Sequence, residues 1–599
     1  MHNKLINRQV QVRCKPQTVK KQLVARFIIK AVLIFCFLLL LLQGCSEHQK
    51  IDLTSRQTLN ERQAEKFMVS AAHPLAVEAG LDVMRRGGNA IDAAIAVQMV
   101  LGFVEPPESG IGGGGFMLFH DSPNNQLHFF DGRETAPAFA DEKRFTLLGQ
   151  PVPRPVVIPS GRAVGVPGLM AMLEMAHSAH GSLPWHELFE PAASLAKQGI
   201  PMPDRLKEQI DRDPSLLLFR DTRSYFKSQA RGDNPQLHNP LMSDALRTLA
   251  DQGAAALYQG DLGERFIRRA SAPWIWSSDL QPSDLEQYRA VQRDPVCAPY
   301  RQWTICGAPP PSSGGITLLQ ILGMLEQFPL PQMEYLSADT LHLIAEASRL
   351  AFADREFYIG DPDFVDVPTQ ALIEADYLRQ RAALINREQA LKEISPGIPG
   401  QSPERLGAVF SAQRESIGTT HFSVVDADGR MVALTSSNEM PFGNRRMTDG
   451  FLLNNQLTDF SFDPYLDGKP HPNAVAPGKR PRSSMSPVIV FDAQGNAQLV
   501  IGSRGGSRII GYVLKTLLGV LDWNLDLQDA IALPNMIHRG DALELEQGTQ
   551  LADLSSDLQA RGHKIRIISL ESGLHGIERT DSGWRGGADP RLDGIARGD

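Results

Sequence analysis

This 599-residue chain predicts a layered α/β fold. Three observations carry that expectation. Paired strands are signalled locally, most clearly where two alternating runs, Thr419–Val425 and Met431–Ser437, flank the Asp428-Gly429 turn. Well-punctuated helical periods sit between the strand regions, which suggests sheets covered by helices. Length and composition are those of a soluble globular protein with room for a large core.

The first 44 residues stand apart. They hold eight Lys/Arg and no Asp or Glu, and an apolar run from Ala31 to Leu42 closes them. That run is short for a membrane span and suited to a signal-peptide core. It ends at Leu42-Gln43-Gly44-Cys45, which resembles a bacterial lipoprotein cleavage site. Residues 1–44 are therefore expected to be a signal peptide. Cys45 would be the lipidated first residue, 45–65 a polar tether, and the location periplasmic. Ser46 after the cysteine weakly favours the outer membrane. Without that segment, 52 Lys/Arg face 68 Asp/Glu, a net charge near −16. This argues against nucleic acid or an anionic bilayer as a main partner, so membrane attachment would be through the lipid alone. Of the cysteines after the signal, Cys297 and Cys306 flank an expected hairpin. They either pair in an oxidising compartment or stay as two free thiols, and sequence leaves both open.

Elements then follow in order. Leu75–Arg86 has helical period and stops at Gly87-Gly88. Asn89 caps a more apolar helix running to about Val104, which Pro106-Pro107 breaks. Gly110–Gly115 matches a dinucleotide fingerprint only in spelling, because a Pro-Pro loop precedes it and a strand, Phe116–Phe119, follows. A short strand, Leu127–Phe130, leads into Asp131-Gly132-Arg133-Glu134. Residues 160–270 are mostly helical, with Gly168–Ala179, Trp185–Gln198 and Ser243–Gln252 clearest. Pro309–Gly315 is a loop opening a helix at Ile316, and Ala338–Tyr358 is one long helix. Residues 395–418 have the composition of an accessible linker. After Thr419 come strands, a helix from Ile509 to about Val520, and a strand pair near 542–547 and 564–569.

The linker ends at the stretch with the most chemistry, Gly418-Thr419-Thr420-His421-Phe422-Ser423. Taken alone it is an ordinary strand, with Thr420, Phe422 and Val424 facing one way and Thr419, His421 and Ser423 the other. If the Gly418–Thr419 bond were cut, Thr419 would gain a free α-amine beside its own hydroxyl. That amine is a built-in general base. Glycine at 418 leaves room for the tight approach that self-attack needs. A Thr419/His421 dyad is the tempting alternative. With an α-amine of pKa near 8 at hand, His421 is read as structural. The histidines form no recognised ligand set, so no metal and no cofactor are expected.

Together these motifs resemble the γ-glutamyltranspeptidase (glutathione hydrolase) family of N-terminal-nucleophile hydrolases. The likeness runs from His73 to about Gly594. It rests on Gly112–Met117, Asp131–Glu134, Pro309–Gly315, Gly418–Ser423, Leu453-Asn454-Asn455-Gln456, Arg482–Pro487 and Gly502–Arg508 in that order. The resemblance implies a four-layer αββα sandwich made from one self-cleaved precursor, with a large piece 66–418 and a small piece 419–599 that remain associated. It implies glutathione and related γ-glutamyl compounds as donors, and water, amino acids or dipeptides as acceptors. By the same resemblance Thr419 is the nucleophile, Ser437 supports it, and Gly505-Gly506 form the oxyanion hole. Arg133, Ser483 and Ser484 hold the substrate α-carboxylate, while Asp459, with Glu439 near it, faces the α-ammonium, and Gln456 is a further substrate-binding residue. Glu439 departs from the family pattern, and a shift of the loop would put Asn438 in its place. The Ser461–Arg482 segment, where members often carry a lid, is short. An acylase on the same scaffold, acting on glutaryl-β-lactam or poly-γ-glutamate amides, is the nearest alternative. A non-catalytic lipid-anchored binding protein is a more distant one.

Overall fold

The computed structural model describes residues 53–55, 57–272, 276–400, 418–466 and 468–599. Cys45, the signal segment and most of the 395–418 linker lie outside them, as does the start of the tether. Two seven-stranded sheets, antiparallel throughout, form the centre. In the first, the spatial order is Gln63–Ala64, Gly583–Ala588, His575–Thr580, Ala497–Gly502, Val488–Phe491, Trp303–Gly307, Val296–Tyr300. In the second it is Ile595–Gly598, Met68–Ala71, Gly418–Val425, Met431–Glu439, Gly114–Asp121, Gln126–Gly132, Val291–Arg293. Both sheets combine strands from before and after residue 418.

The two cores explain the layering. The second sheet turns Phe422, Val424, Val432 and Leu434 toward the helices Pro74–Arg85 and Ala90–Val104. Its other face, with Met68, Phe116, Leu118 and Met431, meets the first sheet. Behind that sheet lie the helices Gly314–Leu325, Ala338–Tyr358 and Ile509–Leu521. The order is helix, sheet, sheet, helix, the expected αββα sandwich. Period-2 alternation on Gly418–Val425 is what lets one strand serve both cores.

Local signals act as expected. Asn89 takes part in a full capping box with Asp92. Ser337 caps the Ala338–Tyr358 helix, and Pro74 and Pro240 open theirs at the position where a missing N–H costs nothing. The open question about the cysteines is settled: Cys297 and Cys306 face each other across the Val296–Tyr300/Trp303–Gly307 hairpin and are disulfide-bonded. No helix among the described residues is long and apolar enough to cross a membrane. The 542–547/564–569 strands pair in parallel, outside the two main sheets.

Candidate active site

Thr419 lies at the start of a central strand, where the register slips between Gly418 and Thr419. The slip is a bulge, a device that re-aims a side chain at the end of a ladder. Gly418 is obligatory here: a Cβ would come within 2.3 Å of the Met440 carbonyl carbon and 2.5 Å of Pro441 N. The facing strand supplies Ser437, whose Oγ accepts the Thr419 hydroxyl at 3.2 Å and the Glu439 N–H at 2.8 Å. The Ser437 hydroxyl in turn donates to the Gly418 carbonyl at 2.6 Å. One serine thereby touches both the candidate nucleophile and the carbonyl it would attack.

Around them is a pocket with about 300 Å³ of empty space. It gathers Arg133, Thr419, Ser437, Glu439, Gln456, Asp459, Ser483, Ser484 and Gly506, with Met485 and Ile509 added. Nine residues singled out from sequence, spread over 374 positions, thus share one cavity. A larger apolar cavity behind the Ile509–Leu521 helix holds none of them.

Arg133 follows the Gln126–Gly132 strand and is 1 % exposed. Its Nε donates to Pro481 O at 3.1 Å, and its Nη2 to Arg482 O at 2.9 Å and Asp459 Oδ2 at 2.6 Å. Gln456 Nε2 donates to the same Asp459 oxygen at 2.7 Å. A cation and an anion therefore stand side by side at one end of the pocket. Next to Arg133, Glu134 is fully buried with its Oε2 3.9 Å from Arg133 Nη1, and burial pushes its carboxyl up to about 8.

Ser483 and Ser484 reach the pocket from a segment pinned to the Pro309–Gly315 loop. Ser313 N and Oγ both donate to Ser483 O, at 2.8 and 2.7 Å. Ser484 Oγ accepts from Arg355 Nη2 at 2.7 Å, and Arg355 Nε reaches Ser313 Oγ at 2.8 Å. Sequence reading missed Arg355. Its only signal was a cation, between Asp354 and Glu356, on a helix whose positions one turn away, Ala351, Phe352 and Tyr358, are apolar.

Glu439, not Asn438, lines the pocket. It holds a backbone φ of +80°, and its carboxylate accepts from Asn455 Nδ2. Asn438 points the other way, toward Pro106 O. Gly505 and Gly506 lie between the Ala497–Gly502 strand and the Ile509–Leu521 helix with φ of +131° and +60°. At Gly505 a Cβ would also meet the Tyr512 ring at 2.6 Å. Gly506 lines the pocket; Gly505 stands just behind it. The ring nitrogens of His421 go to Thr435 Oγ1 at 2.8 Å and Ser423 Oγ at 3.3 Å, away from Thr419. Burial holds its pKa well below the ordinary range. The short Ser461–Arg482 segment folds back as a small Tyr465–Leu466/Lys469–Pro470 hairpin, and none of its described residues lines the pocket.

A hydroxyl that shares Ser437 with the preceding carbonyl, and a paired cation and anion in the same pocket, suit acyl transfer from an amino-acid-like group. Comparison with known proteins agrees. The gamma-glutamyltranspeptidase family model matches residues 76–598. Glutathione hydrolase proenzymes of Bacillus subtilis (strain 168) and Escherichia coli (strain K12) are each 35 % identical to the chain. The matches cover 89 % and 88 % of it and 91 % of each relative. Among solved structures, cephalosporin acylase from Bacillus halodurans superposes with a TM-score of 0.79 at 26 % identity, covering 93 % of this chain and 99 % of that one.

Proposed function

The chain belongs to the gamma-glutamyltranspeptidase family, and from that premise we propose that it is a self-processing γ-glutamyltransferase and hydrolase. The Thr419 hydroxyl attacks the Gly418 carbonyl, and the resulting ester is hydrolysed to leave a large piece ending at Gly418 and a small piece 419–599. Ser437 supports this step by donating to the carbonyl where negative charge develops. The freed amine then serves as base. The same hydroxyl attacks the γ-glutamyl amide of glutathione or a similar compound, and the γ-glutamyl ester passes to water or to an amino-acid or dipeptide acceptor. Gly505 and Gly506 face the second oxyanion with backbone N–H groups.

The observation that carries the substrate is the Arg133–Asp459 pair, 2.6 Å apart at the pocket wall. A γ-glutamyl group ends in a zwitterion, one carboxylate and one ammonium on one carbon. Arg133, with Ser483 and Ser484, would take the carboxylate, and Asp459, with Gln456 and Glu439, the ammonium. A glutaryl group has only the carboxylate. It would leave Asp459 and Glu439 facing no charge, which disfavours the acylase reading that the Bacillus halodurans relative raises. The periplasmic, lipid-anchored placement rests on residues 1–45 alone. The decisive experiment compares kcat/KM for γ-glutamyl and glutaryl anilides, on protein whose chain masses are read under denaturing conditions. A two-chain protein preferring the γ-glutamyl anilide is expected. A preference for the glutaryl anilide would move the assignment to an acylase.

A further inference from the structure

The Thr419 nitrogen has a partner of its own outside the pocket. Glu108 stands in the Pro106-Pro107-Glu108-Ser109 loop that ends the Ala90–Val104 helix, and it is 1 % exposed. Its Oε2 accepts from Thr419 N at 3.1 Å. Its Oε1 accepts from Arg504 Nη1 and from Gln209 Nε2, both at 2.7 Å. Its backbone carbonyl accepts from Asn438 N at 3.0 Å, tying the loop to the strand that faces Thr419. Two donors from distant segments fix one carboxylate oxygen, so the other stays aimed at the nitrogen.

We propose that Glu108 holds the Thr419 nitrogen through both stages of the chemistry, first as it leaves the Gly418 carbonyl and then as the freed amine. The proposal rests on the reading of Thr419 given above. In the cut, a bond forms from Thr419 Oγ to the Gly418 carbonyl carbon and the C–N bond breaks, with the hydroxyl proton ending on the departing nitrogen. Water then hydrolyses the ester. Oγ regains its hydrogen, Gly418 keeps a carboxylate, and the remaining proton makes the amine an ammonium. Nothing else enters. The nitrogen carries positive charge as it departs, and a carboxylate already hydrogen-bonded to it favours that charge without reorganising. Afterwards the same contact fixes one N–H of the amine, which restricts how its lone pair can turn relative to the hydroxyl beside it.

Other charged groups surround this nitrogen. Glu105, at the end of the same helix, accepts from Thr420 Oγ1 at 3.2 Å. Burial first, then the charge of Glu108, push its carboxyl up to about 7. Arg504 follows the Ala497–Gly502 strand. Arg205, on the Asp204–Arg212 helix, pairs with Glu571 at 3.2 Å and also faces both glutamates. Across the pocket stand Glu439, Arg133 and Asp459. His421, two residues along the strand, is kept neutral by burial.

The test uses the full chain and the variants Glu108→Gln, Glu108→Asp, Glu105→Gln and Thr419→Ala. One readout is the rate at which one chain becomes two after cell-free synthesis. The other is the acidic limb of the pH profile of kcat/KM for γ-glutamyl anilide. A nearby carboxylate raises an amine's pKa and the base form is the active one, so losing the carboxylate moves the limb to lower pH. Glu108→Gln should slow the cut about 10- to 100-fold and lower the limb by about one pH unit. The Arg504 charge left behind pushes in the same direction. Glu108→Asp keeps the charge, so its limb should stay in place while the cut slows less. Glu105→Gln should move the limb by less than Glu108→Gln does; a larger move would transfer the role to Glu105 and overturn the proposal. A Glu108→Gln protein that is cut at the wild-type rate with an unmoved limb also overturns it. Should that variant fail to fold, Glu108→Asp decides alone: a slowed cut supports the proposal and a wild-type rate refutes it. A Thr419→Ala chain that is still cut would instead bring down the reading of Thr419 beneath it, and this proposal with it.

Discussion

The two ends of the pocket are built differently. At the nucleophile end, Thr419 and Ser437 stand on paired central strands, and backbone register sets their distance. At the recognition end, Arg133, Asp459, Ser483 and Ser484 stand on irregular segments. Long side chains reaching backbone carbonyls and hydroxyls hold those segments, as Arg133 does with Pro481 and Arg482, and Arg355 with Ser313 and Ser484. The contrast separates two jobs. On the proposed function, a sheet fixes one geometry for a reaction within the chain, whereas a lattice of buried guanidinium groups presents charges to a visiting ligand. Damage at one end should therefore leave the other's task intact.

The sharpest break is Thr419→Ala. With no hydroxyl to attack, the protein should remain one chain and show no measurable γ-glutamyl transfer. Denaturing mass spectrometry checks the first outcome and an anilide assay the second. Two chains in this variant would mean that another protease makes the cut.

At the recognition end the largest effect is expected from Asp459→Asn. Its carboxylate holds Arg133 and lines the pocket, where the proposed function puts the ammonium. Removing one partner of such a desolvated pair costs about 2–5 kcal/mol, roughly 30- to 5,000-fold in kcat/KM for γ-glutamyl anilide. The glutaryl anilide, which has no ammonium, should lose much less. Equal losses on both would remove Asp459 from ammonium recognition. Arg133→Lys keeps the charge and loses the fork. One charge-assisted hydrogen bond is worth about 1.5–3 kcal/mol, so roughly 10- to 150-fold in kcat/KM is expected. In both variants self-cleavage should proceed at the wild-type rate, because no substrate takes part. A slowed cut would erase the division between the two ends.

The smallest effect on activity belongs to a feature outside both ends. Replacing Cys297 and Cys306 by Ser opens a short loop whose strands remain paired in a hairpin. A stability loss of about 2–3 kcal/mol is expected from loop entropy. The melting temperature should fall while kcat/KM stays unchanged. A drop in kcat/KM would show that this edge of the first sheet reaches the site.

The same contrast explains what sequence could and could not convey. The nucleophile strand was readable because alternation is local: Phe422 and Val424 go to the helix-side core, and Thr419 and His421 to the other face. Helix caps such as Asn89 were readable for the same reason. Motifs carried by resemblance marked residues that do meet in one cavity. Glu108 escaped because the loop around it reads only as a helix break, while its partners lie 101, 311 and 396 residues away. Arg355 escaped because a helical period says which face is buried and not which loop will be pinned to it. The cysteines stayed undecided until a Cα–Cα separation of 4.1 Å was known.

The interleaving of strands has a further consequence if the chain cuts itself. The Gly418–Val425 strand lies between Met68–Ala71 from the first piece and Met431–Glu439 from its own, and Met68–Ala71 is itself flanked by Ile595–Gly598. Neither piece has a complete sheet without the other. Before the cut, unfolding is a reversible excursion of a single molecule. After it, the two ends diffuse apart once unfolded, and return requires a bimolecular encounter between two chains that each lack a core. Such a cut acts as a ratchet: it is made only in molecules that have already folded, and it exchanges equilibrium stability for a lifetime set by the unfolding rate. Refolding yield from denaturant should therefore depend on concentration for the cut enzyme and be independent of it for Thr419→Ala.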